Sequence, residues 1–233
     1  MAEHNRIVII PAFNEEQSIV RQCDEIREKG HGYDILVVND CSEDDTHGKC
    51  LNNDIKVIDH TVNLGIGGAV QSGYRYAAAN GYEVAVQIDG DGQHDAAYLN
   101  DMYDALVKEN ADMVIGSRFL ANEGFLSTPL RRVGIGFFSL LIKILTGKTI
   151  SDPTSGYRMI GGGLIKEFAD DYPQDYPEPE SVVRAIRRGK KIVEVPVVMR
   201  DRSAGRSSIG AAASVYYMIK VTIAIILERM RND

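Results

Sequence analysis

An α/β fold built on one largely parallel sheet is predicted by three features of this 233-residue chain. Short β-branched runs alternate with helical patterns through its first half. Polar clusters stand where those runs end, which is where open parallel sheets bind ligands. The content is 44% hydrophobic and 25% charged with no composition break, so the chain can bury one substantial core.

Residues 6–10 (R-I-V-I-I), 34–38 (D-I-L-V-V), 55–59, 83–89 (E-V-A-V-Q-I-D) and 113–116 are short, apolar and β-branched, which predicts buried strands. After the first run, residues 17–29 set Ile19, Val20, Cys23 and Ile26 on one helical face. Further helices are expected over 68–79 and 97–108. Continuous apolar strands joined by helices imply a sheet covered on both faces. In the second half, residues 133–145 (V-G-I-G-F-F-S-L-L-I-K-I-L) are strongly apolar but shorter than the roughly 20 residues that span a bilayer. Residues 207–227 are borderline in length and interrupted only by Lys220. Both are expected as helices at a membrane interface, with Tyr216 and Tyr217 as amphipathic rings and Lys220 and Arg229 snorkelling toward water. Packing in the core or at a dimer contact is the alternative. Residues 170–180 (D-D-Y-P-Q-D-Y-P-E-P-E) are expected to form an ordered or mobile lid rather than a linker.

The net charge of −7 is unevenly spread. Residues 1–117 carry 8 Lys/Arg against 21 Asp/Glu, and residues 118–233 carry 18 against 12. An acidic half beside a basic half suits a metal-centred site facing an anionic partner, and nucleic acid is not expected. Three cysteines without metal-ligand spacing fit a reduced, cytosolic compartment. The opening M-A-E-H-N-R lacks the basic head and apolar stretch of a secretory signal.

V-Q-I-D-G-D-G-Q-H-D, residues 86–95, crowds Asp89, Asp91 and Asp95 after an apolar run. In extended backbone Asp89 and Asp91 would project to the same side, and Gly90 and Gly92 allow a sharp turn. Such a pair suits a hard divalent cation with positions left open for phosphate, and Gln93 offers an amide oxygen as a further ligand. A calcium loop would want Gly sixth and an acid twelfth; His94 and Asn100 stand there instead. His94 is expected to be a local hydrogen-bonding residue rather than a base.

The segments P-A-F-N-E (11–15), V-N-D-C-S-E-D-D-T (38–46), N-L-G-I-G-G-A (63–69) and D-G-D (89–91), in that order, resemble the nucleotide-sugar half of family 2 glycosyltransferases with the GT-A fold. The resemblance implies a single Rossmann-like, mostly parallel sheet flanked by helices. It implies that Pro11, Phe13, Asn14, Glu15 and Asp40, with Asp44 and Gly67 of the same segments, bind the donor nucleotide. Asp89, Gly90 and Asp91 would also contact the donor, Asp89 and Asp91 holding Mg²⁺ or Mn²⁺ on its diphosphate, with UDP the expected nucleotide. In the second half G-S-R-F (116–119), R-R (131–132), D-P-T-S-G-Y-R (152–158) and R-S-A-G-R-S-S (202–208) are similar to the polyprenyl-phosphate glycosyltransferases, the group of dolichyl-phosphate mannose synthase and its undecaprenyl-phosphate relatives. By that resemblance Arg118, Arg131 and Arg202 bind the lipid phosphate and, with Asp91, form the catalytic set. One of Glu178 and Glu180 would face the donor sugar.

The resemblance divides the chain into a GT-A domain over 1–206, with a donor half (1–117) and an acceptor half (118–206), and a membrane-associated helix over 207–233. The expected activity is inverting, metal-dependent sugar transfer from a nucleoside diphosphate to a polyprenyl phosphate, peripheral at the cytoplasmic membrane face, in cell-wall polysaccharide synthesis. A homo-oligomer and a small membrane protein are expected partners. A sugar hydroxyl needs a general base to attack, whereas a phosphate monoester is already ionised and needs cations to approach a second anion. The arginines therefore favour a phosphate acceptor. A family 2 enzyme that extends a glycan would instead need a base such as Asp152 or Glu180. A non-catalytic nucleotide-sugar-binding subunit is the third alternative.

Overall fold

The computed structural model describes residues 5–121, 129–200 and 211–231. Seven strands form one sheet: β1 (Arg6–Ala12), β2 (Tyr33–Asn39), β3 (Val57–Asp59), β4 (Val84–Gln87), β5 (Met113–Ser117), β6 (Arg158–Gly161) and β7 (Ile192–Pro196). Their order is β3-β2-β1-β4-β6-β5-β7. All pairs are parallel except those of β6, which lies antiparallel between β4 and β5. The five strands expected from sequence are present, and β6 and β7 add to them.

The helices are α1 (Ile19–Lys29), α2 (Thr46–Leu51), α3 (Gly65–Ala79), α4 (Leu99–Lys108), α5 (Arg118–Ala121), α6 (Pro129–Thr146), α7 (Gly162–Asp170), α8 (Pro177–Arg187) and α9 (Ala211–Met230). They cover both sheet faces, as the continuous apolar strands require. Ile7 and Ile9 of β1 enter a core shared with α3, α7, α8 and the inner sides of α6 and α9. Val8 and Ile10 enter the opposite core, built with Ile19, Cys23 and Ile26 of α1 and Leu99 and Met102 of α4. Burial pushes the thiols of Cys23 and Cys50 up to about 12 and about 11, which makes both inert packing residues.

The structure adds detail to three expectations. Residues 170–180 divide between elements: α7 ends at Asp170, and α8 begins at Pro177 with Glu178 and Glu180 in its first turn, where a helix favours negative charge. Lys220 does not snorkel freely; its Nζ lies 2.8 Å from Asp175. Arg229 instead donates to the Leu145 carbonyl at 2.9 Å, closing the end of α6. Among the described residues, no helix is long and apolar enough to cross a membrane.

Candidate active site

Strands β2, β1 and β4 are neighbours, so the polar segments that follow them meet at one edge of the sheet. Because β6 runs antiparallel, its start lies at that same edge, and the D-P-T-S-G-Y segment before it joins them.

The loops after β1 and β2 are laced together. Asn14 N–H donates to Ser42 Oγ and Asn14 Oδ1 accepts from Glu43 N–H. Glu15 N–H donates to Thr46 Oγ1 and Glu16 N–H to Asp44 Oδ2. Asn14 and Cys41 hold left-handed backbones, with φ of 58° and 61°. Non-glycine residues keep that conformation only where their surroundings impose it, and such positions cluster at ligand sites. Phe13 stands exposed beside this lacing, while Pro11 is buried within β1 and paired with Val38.

Asp40 is buried and fully engaged. Its carboxylate accepts from Leu64 N–H and Gly65 N–H, each at 2.8 Å, and from His60 Nδ1 at 2.7 Å. The carboxylate can only accept, so Nδ1 carries the proton. In this structure Asp40 ties the end of β2 to the start of α3. Asp44 likewise accepts from Thr46 N–H and Oγ1 at the start of α2. Gly67 is covered: a Cβ there would fall 2.1 Å from the Gln174 carbonyl oxygen and 2.3 Å from that of Pro173. Its place in the motif is explained by this close backbone approach.

The acidic loop departs from extended geometry. β4 ends at Gln87 and the chain turns at Gly90 and Asp91, so Asp89 and Asp91 occupy different surroundings. Asp89 keeps a carboxylate 38% exposed, whereas Asp91 is 4% exposed and accepts from Gln93 N–H at 3.0 Å. Gly92, at φ 80°, supplies the left-handed turn; a Cβ at Gly90 would meet Glu15 Cγ only at an ordinary contact distance of 3.4 Å. His94 is buried, stacked on Tyr157, and its Nδ1 accepts from Asp89 N–H at 3.1 Å. It is therefore a local hydrogen-bonding residue. Gln93 donates from Nε2 to the Arg200 carbonyl, fastening the loop to the segment after β7. Asp95 is held by Lys29, Arg200 and Ala97 N–H. Burial opposes its charge, but these partners bring its carboxyl down to about 2.

Among the described residues no three His, Cys, Asp or Glu side chains form a ready metal cage. Asp89 and Asp91 are carboxylates of the kind a hard cation takes as ligands, and the exposed Asp89 is the one open to solvent. Beside them the buried Gln87 donates to Asp89 Oδ1 at 3.4 Å and leaves its own Oε1 without a hydrogen-bond partner.

Across from the acids, Arg118 forks onto Asp152. Its Nε and Nη2 donate to the two carboxylate oxygens, both at 2.6 Å, and Nη2 also reaches Thr154 Oγ1 at 3.0 Å. Asp152 is fully buried and so holds the guanidinium in place rather than serving as an accessible base. Glu180 pairs with Arg184 at 3.3 Å, away from the acidic loop. Both acids named for a hydroxyl acceptor are thus paired with arginines, Asp152 fully buried and Glu180 partly exposed. Burial pushes the Glu178 carboxyl up; Arg158 and, more weakly, Arg118 pull it down, and Asp89 pushes it up. Arg158 is wholly buried and donates to Ser155 O, Pro153 O and Ser181 Oγ, fixing the segment that carries Gly156 against Asp89. Sequence alone gave no means of choosing between Glu178 and Glu180 or of assigning Arg158 a task. Arg202 and the rest of 201–210, and the side chain of Arg131, lie outside the described residues.

The pattern of the family described as Glycosyl transferase family 2 matches residues 7–168. The chain belongs to glycosyltransferase family 2. It is 30% identical to an undecaprenyl-phosphate mannosyltransferase of Micrococcus luteus, over 93% of this chain and 92% of that protein. It is 28% identical to a UDP-N-acetylglucosamine–dolichyl-phosphate N-acetylglucosaminyltransferase of Methanococcus voltae, over 84% of this chain and 86% of that one. Among solved structures, glucosyl-3-phosphoglycerate synthase from Mycobacterium tuberculosis, in complex with Mn²⁺, UDP and phosphoglyceric acid, superposes with a TM-score of 0.74 at 20% identity, covering 96% of this chain and 78% of that one. This likeness establishes a shared GT-A architecture, and family membership makes the protein a transferase.

Proposed function

We propose that this family 2 enzyme transfers a sugar, with inversion, from a nucleoside-diphosphate sugar to a polyprenyl phosphate at a membrane surface. One observation carries the reading: the segment before β6 meets Asp89 at Gly156, where a Cβ would lie 3.1 Å from the carboxylate, and holds Arg118 at Asp152 and Thr154. One short stretch thus places a donor-side acid and a guanidinium near each other. The names of the two relatives support the acceptor, and the Methanococcus relative supports UDP.

The acceptor phosphate oxygen would attack the anomeric carbon from the face opposite the diphosphate. That carbon–oxygen bond breaks, and the electron pair leaves with the nucleoside diphosphate. Arg118, with Arg131 and Arg202, would hold the incoming phosphate against the repulsion of the leaving one. Asp89 and Asp91 would hold Mg²⁺ or Mn²⁺, which when bound offsets charge on the leaving diphosphate. The lacing of Asn14, Glu15 and Asp44 with exposed Phe13 would receive the nucleotide. Residues 1–117 thus act as the donor half and 118–206 as the acceptor half.

The outer sides of α6 and α9 expose Val133, Leu140, Ile144, Ile219, Ile223 and Leu227 in one apolar face. We assign it to peripheral docking at the cytoplasmic membrane surface, which would bring the phosphate headgroup to Arg118. The test is a labelled-donor assay with UDP- and GDP-sugars, Mn²⁺ and polyprenyl phosphate. Label entering the organic phase is expected; a full donor panel that leaves it in water defeats the reading.

A further inference from the structure

The run from Ala211 to Leu227 carries one charge, Lys220, and around it Tyr216, Ile219, Ile223 and Leu227 are exposed. An ammonium in such a face is costly unless paired. Its partner is Asp175, at 2.8 Å, and its Nζ also lies 5.6 Å and 5.7 Å from the centres of the Tyr176 and Tyr216 rings. Tyr176 packs edge-on against Tyr217, the next residue of the same helix turn, with ring centres 4.7 Å apart.

Asp175 and Tyr176 belong to a short loop that grips the donor half on its other side. Gln174 O accepts from Gly67 N–H at 3.1 Å, and Gln174 Nε2 donates to Gln71 Oε1 at 2.9 Å. Both partners lie in the first two turns of α3, the helix whose start is tied to Asp40. The same loop then runs through Pro177 directly into Glu178. Five residues, Gln174 to Glu178, therefore join the apolar helix and the donor-side helix to the first turn of α8, where Ser181 donates to the Glu178 carbonyl and accepts from Arg158.

We propose that Lys220 is a positioning residue of the transfer site, whose hold on Asp175 tightens when the apolar face of α6 and α9 is covered by lipid. In the uncovered protein Lys220 and Asp175 are 36% and 65% exposed, and ion pairs so exposed contribute little. Beneath an apolar cover a broken pair would leave an ammonium and a carboxylate in a low dielectric. The closed pair then becomes the only economical arrangement, and it fixes the loop, the first turn of α3 and Glu178 together. What covers the face is taken from the proposed function; the link from Lys220 to α3 does not depend on it.

The experiment uses the full chain with Lys220→Met, Asp175→Asn, the double variant and Lys220→Arg. Hydrogen exchange of the Gly67 amide, which donates to Gln174 rather than within α3, reports the loop contact without any substrate. With phosphatidylglycerol-containing vesicles, Lys220→Met and Asp175→Asn should each speed Gly67 exchange, and the effect should be smaller without vesicles. Donor kcat/KM should fall about fivefold to tenfold in vesicles, a change of about 1 kcal/mol. The double variant should be no worse than either single one, and Lys220→Arg should restore the rate. All variants should still sediment with vesicles. Unchanged Gly67 exchange in Lys220→Met, additive losses in the double variant, or an equal effect with and without vesicles would overturn the proposal. If wild type transfers nothing to polyprenyl phosphate, the proposed function fails, while Gly67 exchange still decides this inference.

Discussion

A Cβ at Gly156 would lie 3.1 Å and 3.2 Å from the two carboxylate oxygens of Asp89 and 3.2 Å from Gln87 Nε2. These distances are tighter than ordinary packing, and Asp89 is the more mobile of the neighbours because it is partly exposed. Gly156→Ala should therefore leave the fold intact, raise the Mn²⁺ concentration needed for half-maximal rate, and cut donor kcat/KM about tenfold or more. A variant with wild-type metal dependence would separate Asp89 from the metal. Asp95 supports a prediction on stability. Its carboxyl is depressed to about 2 from an ordinary 3.8, so its contribution is present above 3.8 and lost as pH falls from there toward 2. Asp95→Asn should flatten that part of the acid-unfolding profile, as followed by circular dichroism. Individual site residues were legible where one residue type sufficed. Asp89, Asp91 and Arg118 stand at strand ends as charge pattern and motif suggested. The partners that decide their behaviour, Glu178, Arg158 and Asp152, come from elements separated in the chain, and no local pattern announces which acid meets which arginine.

Elements were legible to the degree that each buries its own faces. β1, β2, β4 and β5 are apolar on both sides and declare themselves. β6 is four residues, R-M-I-G, opening with a buried arginine and closing with glycine. β7 is an edge strand whose side chains are mostly half-buried and which includes Glu194. Both are strands because β5 supplies their hydrogen bonds, a tertiary cause that outweighs weak local propensity. The loop between α7 and α8 follows the same rule. Its Pro, Asp and Tyr content suggested an ordered or mobile lid, and the backbone of Gly67 and the charges of Arg184 and Arg231 hold it. Gly67→Ala tests that attachment. A methyl 2.1 Å from one backbone carbonyl and 2.3 Å from another cannot be accommodated by a side-chain shift. The loop or α3 must move, at a cost of about 1–3 kcal/mol. Thermal unfolding should register this, and an unchanged midpoint would mean that the loop lifts freely from the helix.

For the molecule as a whole, the charge division seen in sequence becomes a division of space. The acidic half supplies the loops around Asp40, Asp44 and Asp89, and the basic half supplies Arg118 and the two apolar helices. Of the two sequence alternatives, core packing is seen on the inner sides of those helices, and the proposed docking concerns their outer sides. Phe138, Ile142, Val221 and Ile225 fill the core from their inner sides, while the outer sides remain uncovered. A face needed only for folding would be buried, and one needed only for lipid would not send aromatic and branched side chains into the core. Ile144 and Ile223 separate these contributions, since they are 71% and 52% exposed. Serine at both positions should change stability by about 0.5 kcal/mol per site or less, yet weaken sedimentation with anionic vesicles severalfold, because each removes apolar area from the docked face. Turnover of a short, water-soluble prenyl phosphate should persist in that variant, since no proposed donor or phosphate contact is altered. If vesicle binding holds while turnover collapses, these side chains serve a protein contact and the lipid must enter elsewhere.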